Sequence, residues 1–182
     1  VILEEGVTSI FDFAFSGCKN LTNVVLPTGL TYISHCAFDG CTKLTSITFP
    51  DSLQYISVNA FQNCGLTSVT LPEGIQRIDA HALGYAYDDN GELQKIEGFT
   101  IQGYTNTAAE IYAEENGFTF ESIGIHELKE SCGENLTWQL ENGALTISGT
   151  GDMSFDGDAP WYAVRSRITD VVLEEGVTSI CG

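Results

Sequence analysis

The chain has 182 residues, of which 43% are apolar, and this is enough for a substantial hydrophobic core. It carries 25 acidic residues against 7 basic ones, for a formal net charge of -18. So acidic a surface repels phosphate backbones and anionic lipid headgroups, which excludes nucleic acid and the bare membrane surface as expected partners. Because no apolar run approaches the roughly 18 residues of a transmembrane helix, direct membrane insertion is not expected.

The first half of the chain repeats one pattern. Segments beginning at Val1, Val24, Ile47, Val69 and Ile96 are spaced by 23, 23, 22 and 27 residues. They share V-x-L-P-x-G-V-x-x-I-x-x-x-A-F-x-x-C-x-x-L-T, and we call the first four of them coils 1 to 4. Since one coil cannot bury its own apolar face, stacked coils share a continuous core. The sequence therefore predicts a mainly β repeat solenoid with short helical turns.

Each fixed position of the pattern has a physical interpretation. The triplet Leu21, Val24 and Leu26 predicts a short strand with one buried face. A proline such as Pro27 ends that strand, because it cannot donate to a continuing ladder. The Ala-Phe pairs predict a tight turn that pushes an aromatic ring into the core, as at Phe38.

This pattern resembles the BspA-like subclass of leucine-rich repeats, over residues 1–97 and again over residues 171–182. The resemblance implies a leucine-rich-repeat array of four coils plus the start of a fifth over 1–97. It also implies a secreted or cell-surface bacterial protein, and adhesion to host or matrix proteins occurs among members of this group. Because Val1 opens directly into a repeat, we expect the chain to be part of a longer protein.

Departures from the pattern come next in the chain. Coil 4 contains an insertion in which Asn90-Gly91 predicts a turn in a protruding loop. Residues 98–123 are expected to form the C-terminal cap of the array, with a capping box at Thr107 and Glu110 before a short helix. Residues 124–131 are expected to be a polar linker.

A small β-hairpin unit is predicted over residues 132–170. Apolar residues alternate on both sides of Asn142-Gly143, which is typical of a two-residue hairpin turn. Residues 171–180 then match residues 1–10 at nine of ten positions, offset by 170. We expect 132–170 to be the entry cap of a next repeat array, of which 171–182 is the first part.

Candidate chemistry is sparse, so we expect no catalytic residues, no cofactor and no metal site. Cys18, Cys41 and Cys64 recur at one repeat position, and buried packing is favoured over a metal or redox site because ligands must converge. A disulfide between Cys132 and Cys181 stays open. Two acidic loops offer oxygen ligands for calcium but lack the spacing of an EF-hand. They contain Asp88, Asp89, Glu92, Asp152, Asp156 and Asp158.

Binding residues are expected at the variable, outward positions. The ninth residue of each coil should align along the axis as Ser9, Tyr32, Tyr55 and Arg77, and tyrosine and arginine are frequent interface anchors. A strip containing Thr48 and Thr70 should be small, polar and uncharged, without an aromatic side chain. The alternative for the tyrosines is simple shielding of the core edge.

Three functions remain open from these patterns. The leading hypothesis is a non-catalytic protein-interaction or adhesion module, with an extracellular host or matrix protein or neighbouring copies of the same protein as partners. The second is a structural spacer in a stalk or fibre built from repeated cassettes. The third is an accessory region of a large secreted enzyme.

Overall fold

The computed structural model describes residues 1–126, 129–141, 143–154 and 159–180. They fall into two compact units, Val1–His126 and Glu127–Gly182. We call these the solenoid unit and the hairpin unit, and each is considered by itself.

A parallel ladder of very short strands joins coils 1 to 4 of the solenoid unit. The four strands pair in the order β1-β2-β3-β5, and corresponding residues of successive coils lie directly opposite each other. Each strand places its first residue outward and its isoleucine inward, the alternation expected of a strand with one buried face. These strands are β1 (Ser9–Ile10), β2 (Tyr32–Ile33), β3 (Tyr55–Ile56) and β5 (Arg77–Ile78).

The strand predicted at the V-x-L positions forms only in part. Within residues 1–126, coil 4 alone has a strand there, β4 (Ser68–Thr70), while coils 1 and 2 share a single bridge between Ile2 and Val25. The predicted alternation is nevertheless present, since Val69 is buried and Thr70 is exposed. The regular ladder lies instead at positions nine and ten of the coil. The prediction missed this ladder because its strands have only two residues each, too few to show an alternating pattern.

Stacked phenylalanines form the axis of the core, as the Ala-Phe pairs predicted. The rings of Phe15 and Phe38 are parallel with centroids 5.1 Å apart, and those of Phe38 and Phe61 are 5.0 Å apart. Phe38 and Phe61 are almost completely buried. Peptide groups beside the stack join the coils, since the N–H of Phe38 donates to the carbonyl of Ala60 at 2.8 Å.

The residue before each of these alanines adopts a left-handed backbone conformation. Phe13, Cys36, Asn59 and His81 have φ values of 57, 52, 57 and 56°. Asparagine tolerates this region better than most residues, whereas a Cβ-bearing residue such as phenylalanine is strained there. The repeat therefore imposes one backbone geometry on four different side chains.

The insertion in coil 4 is an antiparallel hairpin, which confirms the predicted protruding turn. Strands β6 (Tyr85–Tyr87) and β7 (Leu93–Lys95) pair across it. Asp88 closes its tip, because the N–H groups of Asn90 and Glu92 both donate to its Oδ1 at 2.9 Å. These bonds lower the pKa of Asp88, that from Glu92 most strongly.

Two strands and a helix follow coil 4 in the solenoid unit. Strands β8 (Thr100–Thr105) and β9 (Thr119–Ile125) extend from β4 in the parallel order β4-β8-β9. Between them, α1 (Ala108–Asn116) begins at Thr107, whose hydroxyl accepts from the Ala109 N–H at 3.3 Å.

The predicted helix and its N-cap are confirmed, with two differences from a standard capping box. Thr107 accepts from the second residue of the helix, Ala109, and the carboxylate of Glu110 accepts from the N–H of Asn106, one residue before the N-cap, at 2.8 Å. We call β8, α1 and β9 the terminal cap.

Tyr112 of α1 closes the hydrogen-bonding edge that coil 4 leaves. Its hydroxyl donates to the Leu83 carbonyl at 2.8 Å and accepts from the Leu83 N–H at 3.1 Å. Leu83 occupies the coil 4 position that corresponds to Phe38 and Phe61. A single phenol thus satisfies both peptide groups of a fully buried residue, and burial raises the pKa of Tyr112.

The hairpin unit contains two sheets and a 3-10 helix at Tyr162–Arg167. The larger sheet has the order β10-β11-β12-β14 and the smaller one pairs β13 with β15. Trp138 is buried in this unit, and its ring meets that of Trp161 edge-on with centroids 5.9 Å apart. The strands are β10 (Lys129–Gly133), β11 (Leu136–Glu141), β12 (Ala144–Gly149), β13 (Gly151–Asp152), β14 (Asp170–Leu173) and β15 (Val177–Ser179).

The predicted hairpin of the second unit is present as the antiparallel pair of β11 and β12. Gly143 of its turn has φ +84°, while Asn142 lies outside the described residues. The boundary between the two units, after His126, falls within the expected linker at 124–131, although β9 ends and β10 begins inside that range.

Candidate interaction surfaces

The ninth-position residues align along the solenoid as predicted. Ser9 pairs with Tyr32, Tyr32 with Tyr55, and Tyr55 with Arg77 in successive strands. The two tyrosine rings lie 6.2 Å apart at 50°, and each tyrosine is 36% exposed. We call Tyr32, Tyr55 and Arg77 the tyrosine row.

Neighbouring polar groups hold the tyrosine row in place. The hydroxyl of Tyr55 donates to Gln76 Oε1 at 2.5 Å, and Arg77 Nε donates to Asp79 Oδ1 at 2.6 Å. The row borders a shallow cavity of about 200 Å³. Side chains fixed in this way lose little conformational entropy on binding, although the cavity is small for a ligand site.

A larger groove, of about 820 Å³, lies between coils 3 and 4 and the terminal cap. Thr48 and Thr70, the other two predicted binding residues, both line it. We call this cavity the cap groove. Its lining consists of Ile47, Thr48, Phe49, Asp51, Thr70, Leu71, Pro72, Glu73, Gly74, Tyr104, Ile123 and His126.

The cap groove adds charged and aromatic side chains from outside the predicted strip to Thr48 and Thr70. Tyr104 lies over Gly124, where an added Cβ would come within 2.7 Å of its ring, so the glycine allows the ring to pack closely. Glu73 and Asp51 contribute carboxylates, and His126 Nδ1 lies 2.9 Å from Glu73 Oε1. The repeat pattern did not indicate Tyr104 and His126, because they lie outside the repeat.

A row of hydrogen bonds borders the cap groove on the sheet β4-β8-β9. Thr70, Gln102 and Glu121 lie opposite one another in successive strands. Thr70 Oγ1 donates to Gln102 Oε1 at 2.9 Å, and Gln102 Nε2 donates to Glu121 Oε2 at 2.8 Å. This fixes the Thr70 hydroxyl hydrogen, which leaves its oxygen available as an acceptor.

The five predicted binding residues therefore lie on two surfaces. Thr48 and Thr70 line the cap groove, whereas the tyrosine row lines the smaller cavity, and the two linings share no residue. The sequence pattern could not separate them, since both sets are outward positions of the same coils.

The repeated cysteines are packed as small core residues. The thiols of Cys41 and Cys64 donate to the carbonyls of Phe15 and Phe38 in the preceding coil, both at 3.2 Å. Burial raises the pKa of Cys41 to about 11 and also raises that of Cys64. Cys18, at the end of the series, is exposed. Buried thiols of this kind are poor nucleophiles and poor metal ligands, because both roles use the thiolate.

Several remaining candidates have structural roles or fall outside the described residues. Among the residues that the structure describes, no group of three or more His, Cys, Asp or Glu side chains is placed to hold a metal ion. Asp152 Oδ1 accepts from the Thr178 hydroxyl at 2.7 Å, while Asp156 and Asp158 lie outside the described residues. Cys181 lies outside them too, so its pairing with buried Cys132 stays a prediction.

Residues 1–107 match six copies of the BspA type Leucine rich repeat region. The chain belongs to this family. That confirms the resemblance and the repeat solenoid predicted from the 23-residue pattern. In the parts of this family member that the structure describes, no helix has the length and apolar character needed to cross a membrane.

Two solved structures of bacterial leucine-rich repeat proteins are similar to this chain. The leucine-rich repeat protein of T. pallidum is 36% identical over 43% of this chain and 40% of its own length, with a TM-score of 0.42. A leucine-rich repeat protein from Bacteroides ovatus is 19% identical over 98% of this chain and 61% of its own length, with a TM-score of 0.45. This chain thus spans less than two thirds of either protein. No curated protein matches it significantly.

Proposed function

We propose that this chain is a non-catalytic protein-interaction module that binds a segment of its partner in the cap groove. The volume of that groove, about 820 Å³, is the observation that carries the proposal. It falls within the range of cavities that hold ligands, and its lining mixes apolar surface with a few polar groups that can fix orientation.

The lining favours a partner segment with both a basic and an apolar side chain. Glu73 and Asp51 are acidic, and the whole chain carries a formal net charge of -18, which attracts basic segments and speeds their association. Tyr104 and Ile123 supply the aromatic and aliphatic contacts that anchor interfaces. The tyrosine row is a second exposed surface on which the same partner can extend.

The expected partner is an extracellular host or matrix protein, or a neighbouring copy of this protein, met at the bacterial cell surface or after secretion. Membership of the BspA type family supports this location, because proteins of this kind are associated with bacterial surfaces. Adhesion is then the simplest role for a rigid repeat surface with prearranged side chains.

A structural spacer is the second candidate. The recurrence of residues 1–10 at 171–180 favours it, since a chain built from repeated cassettes can extend without a ligand of its own. An accessory role in a larger secreted enzyme has the weakest support, because it depends on sequence outside this chain.

The test is a binding assay of the purified chain against a panel of matrix and host-surface proteins and glycans. The groove variant Glu73→Gln/Tyr104→Ala should lose saturable binding, whereas Tyr87→Ala, which removes an exposed ring from the β6–β7 hairpin, should not. Circular dichroism verifies that both variants fold.

The variant Tyr32→Ala/Tyr55→Ala/Arg77→Ala separates the two surfaces. A loss of binding in this variant, with the groove variant unaffected, moves the site to the tyrosine row and contradicts the groove assignment. Absence of saturable binding by the unmodified chain across the panel contradicts the interaction module and favours the spacer.

A further inference from the structure

Coil 1 presents an open, apolar side at the start of the solenoid unit. Val1 is 52% exposed and Val7 is 36% exposed, although the equivalent Val24 and Leu30 of coil 2 are 4% and 0% exposed. Its short strand β1 is the edge of the ladder. An exposed strand edge offers unpaired peptide groups and is a ready template for another strand.

Nearly the same decapeptide occurs twice in the chain, with the same turn at its centre. Residues 171–180 match 1–10 at nine of ten positions. In the first copy the Val7 N–H donates to the Glu4 carbonyl at 3.4 Å, and in the second Val177 donates to Glu174 at 3.4 Å. The glycine of each turn has a positive φ, +97° at Gly6 and +107° at Gly176. The second copy therefore shows which contacts the first can make.

In the hairpin unit the second copy is paired with the preceding strands. Residues Ala144 to Ile147 of β12 lie opposite Asp170 to Leu173 of β14 in parallel register. Three backbone bonds complete the contact: Glu174 N–H to Ile147 O at 3.0 Å, Gly151 N–H to Gly176 O at 2.9 Å, and Met153 N–H to Ser179 O at 3.1 Å.

The first copy is paired on its other side, with coil 2. The Leu3 N–H donates to Val25 O at 3.1 Å, and the carbonyls of Val1, Thr8 and Ile10 accept from Val25, Thr31 and Ser34 at 3.0, 2.9 and 2.9 Å. None of these groups corresponds to the three that the second copy uses, which would be Glu4 N–H, Gly6 O and Ser9 O. Because alternate peptide groups of a strand face opposite sides, the two contacts are compatible.

Burial of the side chains reflects the contact of the first copy with coil 2, because Ile10 is 3% exposed there whereas its counterpart Ile180 is 59% exposed. The second copy is held by its backbone, since Val171, Val172 and Leu173 beside β12 remain 59%, 47% and 46% exposed. Each copy of the decapeptide therefore has one hydrogen-bonded side, and these sides are opposite.

We propose that the open side of coil 1 is a docking site for a second copy of this chain's hairpin segment, residues 129–154. In the docked arrangement the copy's β12 runs parallel to residues 1–3. Its Ile147 carbonyl accepts from the Glu4 N–H, and its Gly151 and Met153 N–H groups donate to the carbonyls of Gly6 and Ser9. Asp152 accepts from the Thr8 hydroxyl, as it does from Thr178 within the hairpin unit. This inference does not depend on the cap groove.

The occupant must precede coil 1 directly in the chain. Within the hairpin unit, residues 170–179 already fill the edges of β12 and β13. A hairpin segment placed before Val1 lacks those residues, so residues 1–10 become its missing strands. Successive arrays would then be joined by one continuous stack of hydrogen-bonded strands.

The experiment adds a second copy of residues 129–170 in front of the complete chain, so that the copied Asp170 is followed by Val1. Hydrogen exchange is measured at Glu4, whose N–H forms the predicted bond, with Asn59 as an internal reference. Exchange at Glu4 should slow about tenfold or more relative to the unmodified chain, since the amide becomes paired. The matched control carries Leu145→Asp and Ile147→Asp in the added copy only, and should give no slowing.

Equal exchange at Glu4 in the extended and unmodified chains overturns the proposal. Failure of the added copy to fold overturns it as well. It is detected as a solvent-exposed emission spectrum of the added Trp138, in an extended chain whose original Trp138 and both copies of Trp161 are replaced by phenylalanine. In that case residues 1–10 have not served as the missing strands.

Discussion

The two ends of the solenoid unit differ in how their outermost coil is covered. At the C-terminal end, Tyr112 binds both peptide groups of Leu83, and strands β8 and β9 extend the sheet from β4. At the other end, Val1 and Val7 of coil 1 are exposed, whereas the equivalent Val24 and Leu30 of coil 2 are buried. The comparison shows that the repeat stabilises only its interior, because each coil completes the hydrogen bonds and apolar contacts of its neighbour. An end needs residues from outside the repeat.

The phenylalanine stack gives the largest expected difference between interior and end. Phe61→Ala should lower the free energy of unfolding by about 4 kcal/mol, because a buried ring is lost and a cavity is left. Phe15→Ala, at the same repeat position in half-buried coil 1, should cost about half as much. Urea denaturation followed by circular dichroism measures both values. Equal losses would show that coil 1 is as well packed as coil 3.

Removal of one oxygen should reopen the closed end. Tyr112→Phe leaves the N–H and the carbonyl of buried Leu83 without their partner, at a cost of about 2 kcal/mol in the free energy of unfolding. The control is Tyr87→Phe, whose ring is 54% exposed on the hairpin. Hydrogen exchange at Leu83 should accelerate in the first variant alone. An unchanged rate would mean that other groups close this end.

The left-handed position allows a smaller test that compares coils. Asn59→Ala should lower the free energy of unfolding by about 1 kcal/mol, because alanine is strained at φ 57°. The reverse substitution at the open end, Phe13→Asn, relieves the same strain at an exposed site and should not destabilise the chain. A thermal melt of each variant gives the order. If Asn59→Ala were neutral, the geometry of this repeat position would not be a source of strain.

The reactivity of the three repeated thiols should show the same difference between the open end and the interior. The measurement is made at neutral pH and needs no substitution that changes stability. Cys18 is exposed and should react with a thiol reagent on the order of a hundredfold faster than Cys41 and Cys64, which react only when the core opens. Mass spectrometry after timed alkylation resolves the three sites. Comparable rates would show that coil 2 opens about as readily as coil 1.

Alkaline pH should weaken the interior through these thiols. Burial raises the pKa of Cys41 from 9.0 to about 11, so the folded state retains a proton that the unfolded state releases. The free energy of unfolding should therefore fall as pH rises from 9 to 11. Cys41→Ala removes this contribution, and the urea midpoint of the variant should decline less steeply over that interval. Parallel declines would exclude Cys41 as the source.

The sequence predicted the features that recur in every coil. The 23-residue spacing gave the solenoid, the phenylalanine stack and the alignment of Tyr32 with Tyr55, because stacking brings equivalent positions together. Local signals also succeeded, as with the N-cap at Thr107 and the turn at Gly91. In each case the physical cause lies within one coil or a few neighbouring residues.

The features that the sequence did not predict depend on residues far apart in the chain or on very short segments. His126 contacts Glu73 from 53 positions away, and no local pattern relates a cap residue to a coil. The strands at Tyr55–Ile56 and its equivalents have two residues each, too few to show the alternation on which strand prediction relies. The left-handed position was missed because asparagine, its usual indicator, occurs there in only one coil, as Asn59.

The β6–β7 hairpin has a consequence for engineering this protein. It leaves coil 4 after Gly84 and returns at Ile96, where the Ile96 N–H donates to the Gly84 carbonyl at 2.8 Å. This bond closes the base of the hairpin. Its strands are also bonded to the solenoid, through the Tyr87 N–H to Asn63 Oδ1 and Lys95 Nζ to the Asn116 carbonyl, so it is the tip that projects. Its exposed tip at residues 88–92 can therefore accept a foreign peptide, because lengthening a loop costs only a slowly growing entropy. A peptide inserted at this tip should therefore be exposed to solvent and should leave the packing of the coils unchanged.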